Sequence, residues 1–193
     1  MHTLIPSTQK NPNPQGKGCV PVLQDWHALR PRLPERKQAK DILTDYCLSA
    51  LVLAAQFRFR PVPGKPYYLY SGEQQWSLSL IGPQEWGDAM PGEFVANACL
   101  RTDMTWQLEF CQLPADSPVM HRLEGFVEGF THTLTRQESV LDELPFYVRG
   151  LPYYQRLLAT GLAASLQHSI SETGSAALTQ ALPTLLPSRL CPA

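Results

Sequence analysis

Between His121 and His132 four side chains able to ligate a metal, His121, Glu124, Glu128 and His132, recur at spacings of three, four and four, which sets them on one stripe of a helix. Imidazole nitrogens and carboxylate oxygens in such a row are the donor types of zinc and di-iron carboxylate sites. The rise of 1.5 Å per residue limits that chemistry, because it spreads the row over about 16 Å of helix. At most one neighbouring pair reaches a single ion, and the chain has no Glu-x-x-His pair to complete the shell. Such pairs are ordinary on a solvated helix face, and no metal site is assigned.

Nucleophilic chemistry finds equally little support. There is no Gly-x-Ser-x-Gly, and Cys47, Cys99 and Cys111 all fall in segments patterned for packing. Asp25 stands two residues before His27, with Trp26 between them. A base oriented in this way would sit in a proline-rich arm, where Trp26 reads better as an anchor. The glycines are scattered and form no phosphate loop before a helix. No catalytic residue and no cofactor is indicated, and the balance leans against enzymatic activity without closing the question.

The remaining candidate is a polar sheet face on which Arg58, Arg60, Tyr68 and Tyr70 lie together, with Asp103 nearby. Arginines there would favour a small anionic ligand held between the sheet and the C-terminal helices. Tyrosine and arginine on an open sheet can also stack single-stranded bases. The formal net charge of −1 argues against nucleic acid as the partner.

The elements that must position these groups follow from periodicity. Residues 1–34 hold six prolines and read as an extended arm. Its charge is biased: residues 1–40 carry seven Lys and Arg against Asp25 and Glu35, while the rest carries nine against fifteen acids. From Glu35 to Gln56 Ile42, Tyr46 and Leu53 fall at helical spacing, with Cys47 in the apolar stripe. The period then switches to two. Phe57 to Arg60 reads as a first strand, Tyr67 to Tyr70 as a second and Gln75 to Ile81 as a third, with Trp76, Leu78 and Leu80 on its dry side. Pro83 to Gly87 makes a short helical turn whose Trp86 caps the core edge. A second hairpin runs from Phe94 to Cys111 about a tip at Thr102 to Met104, with Trp106, Leu108 and Phe110 inward and Gln107 and Glu109 outward.

Beyond Pro114 a helix is marked by Met120, Leu123, Val127, Phe130 and Leu134, another by Tyr153 to Ile170, and a short one capped by Ser175 ends near Pro183. The expected fold is α+β: an antiparallel sheet of about five strands packed on an N-terminal helix, followed by a C-terminal helical subdomain. The divisions are an arm over 1–34, a helix-plus-sheet core over 35–114 and helices over 115–193. In that core Phe57, Phe59, Leu69, Trp76, Leu78, Leu80, Trp106, Leu108 and Phe110 meet Ile42, Tyr46 and Leu53. Five widely spaced cysteines without a Cys-x-x-Cys pair fit a reducing compartment. The longest apolar run, Leu48 to Ala55, is too short to cross a bilayer, so a cytoplasmic location without membrane contact is expected.

Asn-Pro-Asn-Pro at 11–14, Pro63-Gly64, the tyrosine strand Tyr67-Tyr68-Leu69-Tyr70, the run Pro83-Gln84-Glu85-Trp86-Gly87, and Phe94 followed by Leu100, Asp103 and Trp106 together resemble the family of domain of unknown function 2452, over residues 11–110. The resemblance implies no activity, cofactor or catalytic residue. The expected role is a non-catalytic protein-interaction or adaptor module with a protein partner. The alternatives are a small anionic-ligand-binding protein or enzyme whose site, between the sheet and the C-terminal helices, is lined by Arg58, Arg60, Tyr68, Tyr70 and Asp103, and single-stranded nucleic-acid binding on the polar sheet face.

Overall fold

The computed structural model describes His27, Pro31 and residues 36–136, 140–145 and 150–184. Apart from His27 these belong to one unit, Pro31–Ala193. Helix α1, Ala39–Ala54, begins with Asp41 in its first turn, where a carboxylate favours the positive end of the helix dipole. Ile42, Leu43, Cys47, Leu51 and Val52 bury several sides of this helix, as expected of one enclosed by neighbours and not laid on a surface. Its last carbonyls are satisfied at a distance: the Gln155 side-chain amide donates to the oxygens of Ala55 at 2.6 Å and Leu53 at 3.3 Å.

Four antiparallel strands follow: β1 Pro66–Ser71, β2 Trp76–Ser79, β3 Glu93–Leu100 and β4 Trp106–Phe110, in the spatial order β2-β1-β3-β4. The sheet thus has four strands and not about five. Phe57 to Arg60 does alternate between buried or half-buried and exposed, yet only Gln56 joins the sheet, as an isolated parallel bridge to Ser77. Pro61 and Pro63 withhold two amide donors just beyond it. Phe57 and Phe59 pack ring to ring instead, and Phe59 stacks on Tyr67 at 5.4 Å.

Tyr67, Leu69, Leu78, Ala98, Trp106 and Leu108 share the inner face, and each large apolar side chain buried there contributes roughly 1.5–3 kcal/mol before entropy is counted. Three expected core residues differ. Leu80 is 58 % exposed because β2 stops at Ser79, whose hydroxyl accepts the amide of Ile81 at 2.9 Å and turns the chain off the ladder. Phe110, at the end of edge strand β4, is half-buried, as is Phe59.

The helices gather on the inner side. α1 packs on β4 and β2, and helices α3, Tyr153–Thr173, and α4, Ser175–Ala181, pack on α1. Helix α2, Pro118–Thr135, is capped by the Ser117 hydroxyl, which accepts the Met120 amide at 3.2 Å, with proline at its first position. Its Val127, Phe126 and Phe130 pack against Cys47 of α1. Ser175 is the first residue of α4 and not its cap; Gly174, at φ 91°, holds that place. No described helix is long and apolar enough to cross a membrane.

Candidate functional site

Two polar constellations occupy the sheet. The first lies on its outer face, away from the helices. Pairing sets Ser79, Tyr68, Asn97 and Glu109 in one row across β2, β1, β3 and β4, and Pro66, Cys99 and Gln107 in the next. Asn97, Gln107 and Glu109 are exposed and Tyr68 is half-buried. Together with Pro66 and Cys99 they line an open groove of about 500 Å³.

One end of that face is roofed by the chain's own signature run. A β-bulge at Val95 shifts the β1–β3 register between Leu69 and Tyr70, bringing Phe94 opposite Tyr70. The rings of Tyr68 and Tyr70 then lie 6.4 and 5.7 Å from Phe94. Because β3 pairs with β1 and not with β2, the connection after β2 must cross β1, and Trp86 comes down on Tyr70 with ring centroids 6.3 Å apart. The Tyr70 hydroxyl donates to the Ile81 carbonyl at 2.9 Å and accepts the Trp86 indole N–H at 3.1 Å. Burial raises the Tyr70 phenol above its ordinary range against the opposing effect of the Trp86 bond. Gly82 donates its amide to Glu85 Oε1 at 2.9 Å, and a Cβ at Gly82 would stand within 3.3 Å of both that oxygen and the Tyr68 phenol. Glu85 and Tyr68 are therefore neighbours.

The second constellation is an ion network at the β3–β4 turn. Lys37 bridges Asp45 of α1 at 2.5 Å and Asp103 at 2.8 Å, and Arg101 donates to Asp45 at 2.8 Å. Asp103 Oδ1 also accepts the Thr105 hydroxyl at 2.6 Å and its amide at 3.0 Å, shaping a turn in which Met104 adopts φ 65°. Burial works against the charge of Asp103, but the bonds from Lys37 and Thr105 outweigh it and hold the carboxyl below its ordinary range. Lys37 is raised in turn: burial would lower it, and its bonds to Asp103 and Asp45 prevail.

The expected site residues are thus dispersed. Tyr68 alone of them lines the outer groove. Tyr70 is buried beneath Trp86, and Asp103 is 4 % exposed within the ion network. Arg58 and Arg60 are exposed on the segment that Phe57 and Phe59 hold toward Tyr67. His121, Glu128 and His132 lie exposed along α2 with Glu124 half-buried, and no group of three His, Cys, Asp or Glu gathers to hold a metal among the described residues. Burial pushes the Cys47 thiol up to about 12, which makes it a packing residue and a poor nucleophile at neutral pH. His27 is exposed in a helical turn; Asp25 and Trp26 lie outside the described residues.

Sequence reasoning placed Gln107 and Glu109 outward but did not join them to Tyr68 and Asn97, since that row depends on strand order. The Lys37 network had no local signal at all, because Lys37 and Asp103 are 66 residues apart.

No solved structure matches the chain. A family match begins just before Lys37 and ends just short of the Ser117 cap, so it takes in α1, all four strands, the outer groove and the ion network, and it leaves out Asn-Pro-Asn-Pro at 11–14. Residues 34–116 match the family described as Protein of unknown function (DUF2452), the family that the tyrosine strand and Pro83–Gly87 run resemble.

Proposed function

We propose that this chain is a non-catalytic protein-interaction module whose contact surface is the outer face of the sheet. The observation that carries this reading is the contrast between the two polar constellations. Lys37, Asp45, Arg101 and Asp103 neutralise one another internally, whereas Asn97, Gln107 and Glu109 stand exposed around a groove on a rigid antiparallel support. A buried network of satisfied partners fixes one packing arrangement and has little remaining capacity for chemistry. A shallow amide-lined surface offers donors and acceptors to another chain.

The sign of the surface favours a protein over the alternatives. Glu85 and Glu109 flank Tyr68, and carboxylates at that position repel a phosphate backbone or a small anion. Affinity capture with the full chain and with an Asn97→Arg/Gln107→Arg variant tests the reading, after both are shown to melt together. The expected result is a reproducible set of bound proteins lost only from the variant. An identical set from both baits removes the outer face from consideration. Consistent thermal stabilisation by one class of phosphorylated metabolite or nucleotide would favour a ligand site instead.

A further inference from the structure

Resting on that reading, we infer that the outer face recognises an extended segment of a partner protein bearing lysine or arginine, held between Tyr68 and the carboxylates of Glu85 and Glu109. The charge pattern comes first. The Tyr68 phenol and Glu85 Oε1 meet beside Gly82, and Glu109 stands two strands away in Tyr68's own row. Neighbouring strands are about 4.8 Å apart, so Glu109 stands roughly 10 Å across the sheet from Tyr68, whose phenol has Glu85 beside it. Glu85 gives one oxygen to the Gly82 amide and is otherwise exposed; Glu109 is exposed without a partner among the described residues. A cation over the tyrosine ring and beside a carboxylate is attracted by both, and neither Arg58 nor Arg60 lines the groove to oppose it.

The shape of the groove selects an extended chain. It spans two side-chain rows and three strands, and its middle is furnished by the amides of Asn97 and Gln107. Each amide offers both donors and an acceptor, the complement of a peptide main chain. The chain after position 40 agrees in sign, with nine basic against fifteen acidic residues.

The test is fluorescence anisotropy with the full chain and a labelled peptide alternating lysine and threonine, beside the same peptide with glutamate in place of lysine. The lysine peptide should bind and weaken as salt rises, and the glutamate peptide should not bind. Glu109→Lys should lower the affinity at least about tenfold and Tyr68→Ala about three- to fivefold, with Glu109→Gln, an isosteric change at an exposed position, falling between wild type and Glu109→Lys. Equal binding of both peptides, binding of neither, or binding unchanged by these variants overturns the inference. So does self-association of the chain through this face, seen by sedimentation and lost in Glu109→Lys. If affinity capture depends on Asn97 and Gln107 while the lysine peptide fails to bind, the platform stands and only its basic preference falls.

Discussion

Asp103 shows how a residue chosen for chemistry can be bound to architecture. Its carboxylate receives Lys37, the Thr105 hydroxyl and the Thr105 amide, so its charged form is favoured in the folded chain and its pKa is depressed. A depressed carboxylate stabilises the fold fully above the ordinary aspartate value near 3.9 and loses that contribution as pH falls through the lower folded value. Lys37 has the opposite sense: being raised, it contributes fully below its ordinary 10.5 and loses its effect only above that, so it adds no slope near neutrality. Asp103→Asn should therefore cost about 1–3 kcal/mol at pH 7 in urea unfolding, by removing the charged acceptor while keeping the shape. The gap between variant and parent should stay level down to about pH 5 and narrow below about pH 4. A gap that is the same at about pH 3 as at pH 7 would mean that the carboxylate is not paired as described.

The connection from β2 to β3 is the element that turns the signature residues into a roof. It leaves β2 at Ser79, crosses β1, sets Trp86 on Tyr70 and returns through Gly92 to start β3. Gly92 has φ 153°, and a Cβ there would lie 2.3 Å from the Ser71 carbonyl oxygen and 2.6 Å from its carbon, backbone atoms that cannot step aside. Gly92→Ala should lower stability by about 2 kcal/mol or more and displace Trp86, read as a change in indole fluorescence together with the melting temperature. Gly87→Ala, at φ 54° with open space around the added carbon, should cost only about 1–2 kcal/mol and leave the fluorescence unchanged. A Gly92→Ala protein that matches the parent in both readings would show that the return path is not constrained there. The two hairpins and the turn at Asp103 were legible in the sequence, since alternation and turn residues are local. The roof was not: Trp86 was expected at the core edge, whereas only the order β2-β1-β3-β4 places it over Tyr70. Phe57 to Arg60 misled for the complementary reason, as alternating burial arises from ring packing against Tyr67 without a ladder beside it.

For the molecule as a whole, the boundary of the family match and the boundary of the packing do not coincide. Residues 34–116 hold the sheet and α1, but α1 is enclosed by α3 and α4 as well as by β4 and β2, and its final carbonyls depend on Gln155. Tyr46 donates its hydroxyl to the Glu143 carbonyl, and Thr173 donates to the carbonyl of Lys37, so contacts from beyond residue 116 reach the start and the middle of the ion network's supporting helix as well as its end. Helical periodicity after Pro114 revealed that these helices exist but not that they complete the core begun by α1, because periodicity marks an apolar face without naming what covers it. Cutting the chain at 116 would uncover Cys47 on the side that α2 covers, and would leave the last carbonyls of α1 without the Gln155 donor. A chain of residues 31–116 is thus expected to lack a cooperative melting transition and to exchange its α1 amides rapidly, while residues 31–184 should melt cooperatively and protect them. Should the shorter chain unfold in a single sharp transition with α1 protected, the matched segment would be a fold in its own right, and the C-terminal helices an addition to it and not half of its core.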